Sequence, residues 1–212
     1  MREATPKERM LKQIRRALIE KTENPYPRIE EQSSVFKKSE EELLEIQFAE
    51  EFSKINGNFI FCESIEQCIE DLNELIQKNN WTNIYAWEKE LIDWVKIEGL
   101  KTNDSDFLNA NVGITTCEAL SARTGSILIS NGTEAGRRLS IYPHIHIVIA
   151  YTSQLFDNIN NALNFIEKKY DGKLPSMISN TTGPSRTADI EKTLVLGAHG
   201  PREIYLFLID EE

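Results

Sequence analysis

Residues 177–210 read MISNTTGPSRTADIEKTLVLGAHGPREIYLFLID, and this stretch decides the expected fold. It ends in an uninterrupted apolar run, 204–209, which is typical of a strand buried on both faces of a parallel sheet. Two shorter apolar segments, 177–179 and 194–196, precede polar loops that contain glycine. Such loops at strand ends bind ligands in open α/β sheets, and they are also places where chains merely turn. The stretch therefore predicts a parallel α/β sheet with a candidate site beside it.

Amphipathic helices alternate with short apolar strands along the rest of the chain. This alternation predicts an α/β fold with a mainly parallel sheet and helices on both of its faces. Helices are predicted at 5–21, 39–55, 64–78, 88–95 and 154–170, with a short helical signal at 188–191. Thr5 is the predicted N-cap of the first helix, and Ser39 with Glu42 forms a predicted capping box for the second. Strands are predicted at 59–62, 82–86, 112–115, 127–129, 145–150, 177–179, 194–196 and 204–209. The proline-containing polar stretch 24–34 divides the chain into a helical arm and linker, 1–38, and a main domain, 39–212.

The composition bounds the class of protein and its partners. A chain of 212 residues with 40% hydrophobic and 27% charged residues is typical of one soluble, globular domain. Its net charge of -10 argues against a general nucleic-acid binder and against binding to an anionic membrane. No apolar run reaches membrane-spanning length, and the charged N-terminus lacks the apolar core of a signal peptide. The expected location is therefore the cytoplasm.

Cysteine and histidine spacings give no metal or cofactor site. The three cysteines, Cys62, Cys68 and Cys117, are odd in number and none forms a CxxC pair, so an iron–sulfur cluster held by this chain alone is not expected. His144 and His146 lie at strand spacing on one face, which permits a two-histidine metal pair, but no third ligand is in evident reach. We therefore predict no metal and no cofactor in this chain.

The loop TTGPSRTADIE has the parts of an anion cradle. Gly183 permits close approach of the backbone to a ligand, Ser185 and Thr187 offer hydroxyl groups, and Arg186 offers a bidentate fork. A helix that begins here points free N–H groups outward, where they attract anions. The alternative interpretation is that Ser185 or Thr187 only caps a short helix. The loop is neither a Walker loop nor a GxGxxG motif.

Charged side chains follow in the same stretch. Asp189 and Glu191 are spaced by two, so they do not share a helix face, and the alternative to a working pair is helix-start acids favoured by the dipole. The loop GAHGPRE places His199 and Arg202 between two predicted strands. A histidine titrates near neutral pH and an arginine binds carboxylate or phosphate, although both can also be solvated turn residues.

Glu118 is the acid that the sequence singles out as a catalytic candidate. Its neighbours include Ala119, Ala122 and threonines, so burial can raise its pKa and make it an acid or a nucleophile. The alternative is a carboxylate that caps a helix or forms a salt bridge. The chain has no GxSxG elbow and no Ser–His–Asp arrangement.

Four runs carry a resemblance to a known family. They are GITTCEALSARTGSILIS, RRLSIYPHIHIVIA, TTGPSRTADIE and LVLGAHGPREIYLFLID. Together they closely resemble the lactate-utilization protein C family, whose domain is called LUD, over roughly residues 40–212. The resemblance implies a three-layer α/β fold around a mainly parallel sheet, similar to phosphosugar isomerases, CoA transferases and formyltetrahydrofolate cyclo-ligase.

The resemblance also implies a role and a set of motif positions. Members of this family act with two iron–sulfur proteins in the oxidation of L-lactate to pyruvate, so the clusters are expected on those partners. The positions that match the family motifs are Thr116, Glu118, Thr124, Gly125, Gly183, Ser185, Arg186, Asp189, Glu191, His199, Gly200 and Arg202. A glutamate is the nucleophile in CoA transferases, and Glu118 is only a loose analogue of it.

Two functional hypotheses remain open at this point. The first is an accessory subunit that binds a small anionic ligand within an iron–sulfur lactate-oxidising complex. The second is a stand-alone enzyme acting on a phosphorylated, folate-linked or CoA-linked small molecule. Because loops that follow parallel strands converge at one edge of a sheet, we expect 115–125, 183–191 and 197–202 to meet in one pocket at the carboxyl ends of the strands.

Overall fold

The computed structural model describes residues 5–19, 43–95, 97–103, 106–188 and 194–211. The chain divides into two units, 1–40 and 41–212. In the first unit, helix α1 (Pro6–Ile19) has no buried residue. The predicted N-cap is confirmed, because the backbone N–H of Glu8 donates to Oγ1 of Thr5 at 3.3 Å and the N–H of Thr5 donates to Oε2 of Glu8 at 2.7 Å.

The second unit contains four α-helices and eleven strands within the described ranges. The helices are α2 (Leu44–Lys54), α3 (Ile65–Lys78), α4 (Lys89–Trp94) and α5 (Ile159–Lys169). The strands are β1 (Asn58–Cys62), β2 (Ile84–Tyr85), β3 (Val112–Thr116), β4 (Ala119–Ser121), β5 (Ser126–Ser130), β6 (Ile145–Tyr151), β7 (Leu155–Phe156), β8 (Ile178–Thr181), β9 (Arg186–Ala188), β10 (Leu194–Leu196) and β11 (Glu203–Ile209). None of the helices in these ranges has the length and apolar character needed to cross a membrane.

Five strands form the central sheet, in the order β1-β11-β6-β3-β2, and every neighbouring pair is parallel. The sheet is built on β11 and β6, which pair over seven residues from Glu203 opposite Ile145 to Ile209 opposite Tyr151. Apart from Glu203 and the half-buried Tyr205, the residues of β11 are fully or almost fully buried. The α/β class with a mainly parallel sheet is therefore confirmed, and the apolar run 204–209 is its buried central strand.

Helices α3 and α4 cover the first face of the central sheet. Ser64 caps α3, since its hydroxyl oxygen accepts from the N–H of Gln67 at 3.2 Å. The helix then presents a stripe of buried residues at helical spacing, Cys68, Leu72 and Ile76. These side chains join one core with residues of β3, β6 and β11 that point to the same face.

The second face is covered by α2 and by a second sheet that was not predicted from the sequence. This sheet has the order β7-β4-β5-β8 and is mostly antiparallel. Phe48 and Phe52 of α2 are fully buried in the core between the two sheets. Helix α5 packs on the far side of the second sheet, where Ala162 and Ile166 meet residues of β4 and β5.

The short helical signal predicted at 188–191 overlaps the described residues only at Ala188. Ala188 is the last residue of strand β9, which pairs antiparallel with β10 in a separate hairpin. Cross-strand pairing with 194–196 satisfies the backbone here and overrides the local helical signal. Residues 189–193 lie outside the described residues, as do Ser39 and Glu42, the predicted capping box of α2. Strand β10 is confirmed as a strand, but it does not belong to the central sheet.

Gly125 fixes the distance between the second sheet and α2. It ends the tight turn after β4 with a φ of +55°, which is a left-handed conformation that favours glycine. A Cβ atom at this position would lie 2.4 Å from the backbone nitrogen of Phe52. Glycine is therefore required by the backbone angle and also by the close approach of the helix.

We expect Gly125→Ala to destabilise the protein more than Gly136→Ala. Gly136 has a similar φ of +57°, but a Cβ atom there would have no neighbour within 4 Å, so its substitution isolates the cost of the backbone angle, about 1–2 kcal/mol. Gly125→Ala adds the steric conflict with α2, which costs about a further 1–3 kcal/mol. Urea unfolding of both variants measures the difference. Equal losses would contradict the close contact of Gly125 with α2.

Candidate functional site

All strands of the parallel central sheet end on one side and begin on the opposite side. We call these two sides the carboxyl edge and the amino edge, and their side chains differ chemically. The chain leaves β3 at Thr116 and reaches Glu118, so both residues lie at the carboxyl edge. The loop 197–202 leads into the beginning of β11 and therefore lies at the amino edge. The two edges are separated along β3 by about 13 Å, from four residues at a rise of about 3.3 Å each.

Glu88 and Thr116 form the first contact at the carboxyl edge. The N–H of Thr116 donates to Oε2 of Glu88 at 2.6 Å, and its hydroxyl donates to Oε1 at 2.6 Å. The Glu88 side chain is buried, and burial raises its pKa. Hydrogen bonds from Thr116 and Thr133 oppose that effect without cancelling it, so the pKa of Glu88 stays above its usual range.

Glu118 is the centre of a second contact at the same edge. Its carboxylate is fully buried and accepts from Nζ of Lys169 at 2.7 Å, from the hydroxyl of Tyr170 at 2.7 Å and from the hydroxyl of Ser130. Burial alone acts to raise the pKa of Glu118. The three donors, led by Lys169, outweigh burial and hold the pKa of Glu118 below its usual range. The carboxylate is therefore ionised at neutral pH.

This result decides between the two interpretations of Glu118. The expectation that burial raises its pKa is wrong, because the end of α5 delivers an ammonium and a phenol to the carboxylate. The salt-bridging interpretation is confirmed by the 2.7 Å contact with Lys169, whose own side chain is 43% exposed. The pKa of Lys169 is correspondingly raised, since the hydrogen bond and charge of Glu118 outweigh the effect of burial.

Cys117 lies in the chain between Thr116 and Glu118 and is buried at 2% exposure. Burial raises the pKa of its thiol, and the negative charges of Glu118 and Glu88 raise it further. The thiol is therefore protonated and unreactive. The useful chemistry of this edge lies in two carboxyl groups whose surroundings push their pKa values in opposite directions, which is the arrangement that separates an acid from a base.

We call the residues Glu88, Thr116, Glu118, Ser130, Lys169 and Tyr170 the carboxyl-edge cluster. Thr116 and Glu118 were predicted from the sequence, whereas Glu88, Ser130 and the two residues at the end of α5 were missed. Glu88 could have been predicted as a site residue, because it is an acid that follows the end of a predicted strand. Lys169 could not, since it is separated from Glu118 by 51 positions in the sequence.

At the amino edge, two of the predicted loops do meet. The N–H of Ser185 donates to the carbonyl of Pro201 at 2.9 Å, and the N–H of Gly197 donates to the carbonyl of Ser185 at 2.9 Å. A Cβ atom on Gly200 would lie 3.2 Å from Cβ of Ser185, so this glycine permits close contact between the loops. We call Ser185, Arg186, His199, Gly200 and Arg202 the amino-edge cluster.

Arg186 belongs to this cluster and also holds the end of a helix. Its Nη2 donates to the carbonyl of Ile55 at 2.7 Å, just after the last turn of α2. A cation at a helix C-terminus interacts favourably with the free carbonyls and with the macrodipole. Gly183 is required beside it, because its φ is +82° and a Cβ there would lie 2.7 Å from the same carbonyl oxygen.

Thr124 takes part in a chain of hydroxyl groups beneath the amino-edge cluster. Its Oγ1 donates to Oγ of Ser121 at 3.1 Å and accepts from Oγ of Ser126 at 2.8 Å. Oγ of Ser126 lies 2.8 Å from Oγ1 of Thr182, and this hydrogen bond connects the β4–β5 turn to the loop before Gly183. These contacts are internal to the fold, so they support the loop that carries Ser185 and Arg186.

The prediction that three loops form one pocket at the carboxyl edge is wrong. Glu118 and Thr116 lie at the carboxyl edge, whereas Arg186 contacts Ile55 and the segment 197–202 precedes β11 at the amino edge. The error has a topological cause: β10 is a hairpin strand, so the loop after it does not leave the central sheet. The family-motif positions Asp189 and Glu191 lie outside the described residues, and His199 and Arg202 are exposed.

The two strand histidines do not form a metal pair. His146 is fully buried, and its Nε2 lies 2.9 Å from Oγ1 of Thr115, while its Nδ1 has no hydrogen-bond partner in the part of the chain that the structure describes. Burial lowers the pKa of His146 to about 3, so the ring is neutral. His144 is exposed and uses its carbonyl to accept from the N–H of Arg202 at 2.7 Å. Within the described ranges, no three His, Cys, Asp or Glu side chains are grouped to hold a metal ion.

Comparison of the chain with known proteins gives a consistent family. The family model described as the LUD domain matches residues 46–209. The chain is 30% identical to lactate utilization protein C of a Geobacillus strain over 210 residues, covering 88% of this chain and 86% of that protein. It is also 36% identical to an uncharacterized protein of Neisseria meningitidis serogroup B over 124 residues, or 58% of this chain and 49% of that one.

A third relative, lactate utilization protein C of Bacillus licheniformis, is 30% identical over 135 residues, with 63% of this chain and 53% of that protein covered. The matches thus span about half the length of the Neisseria and Bacillus relatives. Among solved structures, a DUF162 family protein from Deinococcus radiodurans superposes with a TM-score of 0.57 at 16% identity, over 78% of this chain and 96% of that one. This similarity supports the fold.

We expect Glu118→Gln and Glu88→Gln to change the pH dependence of stability in opposite directions. The lowered pKa of Glu118 means that its contribution is present above the unfolded value of about 4.3 and is lost as pH falls through the folded pKa. Glu118→Gln should therefore lower the unfolding free energy at neutral pH by about 1.5–3 kcal/mol, with a smaller loss in acid.

The contribution of Glu88 to stability changes with pH in the opposite direction. Its pKa is raised in the folded protein, so its ionisation destabilises the fold as pH rises. Glu88→Gln should therefore gain stability over the natural protein as pH increases from acid to neutral. Urea unfolding of the natural protein and both variants across this range measures the two slopes. Parallel slopes for the two variants would contradict the assignment of opposite ionisation to these carboxyl groups.

Proposed function

The chain belongs to the LUD domain family, and from this premise we propose that it acts in lactate utilization as an accessory subunit of an iron–sulfur system. In the proposed system, L-lactate is oxidised to pyruvate and this chain binds a small anionic ligand. The observation that carries the proposal is the similarity to a lactate utilization protein C over 88% of this chain and 86% of that protein. The name of that relative is what connects the fold to lactate.

We assign the redox centres of the proposed system to two iron–sulfur partner proteins. Oxidation of L-lactate to pyruvate releases two electrons, which iron–sulfur clusters on the partner proteins would accept in the proposed system. The cysteines of this chain, Cys62, Cys68 and Cys117, are all buried, and none belongs to a CxxC pair. Buried thiols of this kind behave as small hydrophobic residues. Cysteines that stay reduced also agree with the proposed cytoplasmic location.

The amino-edge cluster is the place that we propose for the anionic ligand. Arg186, His199 and Arg202 are exposed there, on a chain whose net charge is -10. Two arginines on neighbouring loops can present guanidinium groups to a carboxylate or a phosphate. The backbone bonds between Ser185, Gly197 and Pro201 fix the two loops against each other, so little ordering remains for binding.

The carboxyl-edge cluster supports a second candidate function, a stand-alone enzyme acting on a phosphorylated, folate-linked or CoA-linked small molecule. Glu118 is held ionised and Glu88 is held towards its protonated form, so the pair offers a base or nucleophile beside an acid. Both side chains are buried, while Lys169 is 43% exposed and Tyr170 is half-buried. A substrate that approaches Glu118 from solvent would therefore meet Lys169 or Tyr170 first.

Cells that lack the gene should fail to grow on L-lactate as the sole carbon source and should grow normally on pyruvate. Pyruvate lies after the oxidation step, so it bypasses the proposed system. An affinity-tagged chain from lactate-grown cells should recover two cysteine-rich proteins that contain iron, measured by elemental analysis of the eluate. Normal growth of the deletion strain on L-lactate would refute the proposed role.

The same strain separates the two candidate functions. Complementation with Glu88→Gln should restore growth if the chain is an accessory subunit, because Glu88 is buried and lies outside the amino-edge cluster. An enzyme that relies on Glu88 as its acid should instead fail to restore growth while it still recovers the partners. Glu88→Gln is the suitable variant, since it is expected to preserve or increase stability at neutral pH.

We expect Arg202→Gln to weaken binding of an anionic ligand by about 1.5–3 kcal/mol without lowering the melting temperature. Arg186→Gln should weaken binding and also lower the melting temperature, because it removes the 2.7 Å hydrogen bond to the carbonyl of Ile55 at the end of α2. Arg137 is exposed in a different loop, so Arg137→Gln serves as the matched loss of one positive charge. L-Lactate, pyruvate and inorganic phosphate are titrated into each protein by calorimetry.

The pattern across the three variants identifies the site. Weakened binding in Arg202→Gln and Arg186→Gln, with Arg137→Gln unchanged, places the ligand at the amino-edge cluster. Equal affinity in Arg202→Gln and the natural protein would place it elsewhere. Failure of the natural protein to bind any of the three anions would contradict the anionic-ligand proposal itself.

A further inference from the structure

Strand β1 is the outer strand of the central sheet, and its free edge has an unusual composition. Among the described residues it pairs only with β11. The carbonyl of Cys62 faces β11, since it accepts from the N–H of Asp210, the residue that follows β11, at 2.9 Å. Backbone groups alternate along a strand, so the N–H and carbonyl groups of Phe59 and Phe61 point outward. The sequence of β1, NFIFC, contains no charge and no proline, which are the residues that usually protect an edge.

An apolar groove lies beside this edge. It has a volume of about 420 Å³ and is lined by Leu43, Glu45, Ile46, Ala49, Phe59, Phe61 and Asp210. Leu43 is 67% exposed, Ile46 is 51% exposed and Phe61 is 40% exposed. Large apolar side chains grouped at an unpaired strand edge are typical of a protein interaction surface.

We propose that this surface binds a second copy of the same chain, with the two β1 strands antiparallel about a twofold axis at Ile60. In that register Phe59 of each copy lies opposite Phe61 of the other. Because the outward backbone groups belong to these two residues, each Phe59–Phe61 pair exchanges both of its hydrogen bonds. Ile60, whose backbone groups face β11, forms the non-hydrogen-bonded pair at the axis.

The register also places side chains in the groove. Opposite residues of antiparallel strands point to the same face of a sheet. Phe59 and Phe61 lie on the face covered by α2, where the ring of Phe59 is 5.9 Å from that of Phe48. Phe61 of each copy therefore enters the groove formed by Leu43, Ile46 and Ala49 of the other copy. The interface is self-complementary, as a twofold contact requires.

The charges around β1 favour the antiparallel arrangement. Arg186 lies at the amino end of the strand through its bond to Ile55. Lys54 lies there too, but its charge is compensated by its ion pair with Glu51. Acidic residues lie at the carboxyl end, where Glu45 and Asp210 line the groove and Glu63 follows the strand. A twofold axis across β1 brings Arg186 of one copy towards the acidic carboxyl end of β1 in the other copy, whereas a parallel arrangement would place the two acidic ends together.

Sedimentation equilibrium of the full chain over a range of concentrations tests the proposal. The natural protein should be dimeric, and Phe61→Glu should raise the dimer dissociation constant by about 30-fold or more, as for a central interface residue. Leu108→Glu is the control, because Leu108 is an apolar residue with 84% exposure far from β1 in sequence. A monomeric natural protein, or equal weakening by both substitutions, would overturn the proposal.

A cross-link tests the register independently. Antiparallel non-hydrogen-bonded pairs have Cα atoms about 4.5 Å apart, within the range that a disulfide spans. Ile60→Cys should therefore form a covalent dimer under mild oxidation with glutathione disulfide, whereas Tyr142→Cys, at an exposed site elsewhere, should not. The natural cysteines are buried and do not compete. A dimer that forms without the Ile60→Cys cross-link would contradict the proposed axis, and circular dichroism confirms that each variant is folded.

Discussion

All five strands of the central sheet run in one direction, and the rest of the molecule follows from this constraint. A parallel sheet cannot be closed by hairpins, so each return of the chain must cross one of its faces. Helices α3 and α4 make the crossings on the first face, while α2 and the second sheet fill the other. Burial on both faces explains why β6 and β11 are almost wholly apolar.

The same constraint divides the polar residues between two edges. Chain segments that leave the strands carry Glu88, Thr116 and Glu118, and the segment that enters β11 carries His199 and Arg202. The carboxyl edge is acidic and internally compensated, since Lys169 and two hydroxyl groups satisfy Glu118. The amino edge carries exposed cations. A small anion therefore meets favourable charge at the amino edge, whereas the groups suited to acid–base chemistry, Glu88 and Glu118, lie at the carboxyl edge.

Sequence reasoning succeeded where the physics is local. The longer apolar strands were predicted because burial on both faces requires continuous apolar runs, and Thr5 was found because capping depends on residues three positions apart. Strands β4 and β7 were not predicted, since two or three residues give no periodicity. The charge state of Glu118 was also out of reach: its burial was expected, but its pKa depends on Lys169, which only the packing of α5 brings near.

The glycine-rich motifs show why a family resemblance alone does not assign a ligand site. Gly125 and Gly183 have positive φ and make close backbone contacts with the end of α2, and Arg186 bonds to the carbonyl that follows it. These three positions are accounted for by the fold without any ligand. Arg202 differs, because its backbone N–H bonds to His144 while its side chain is exposed. Among the described residues, no hydrogen bond or ion pair engages the Arg202 side chain, which makes Arg202 an informative position for function at the amino edge.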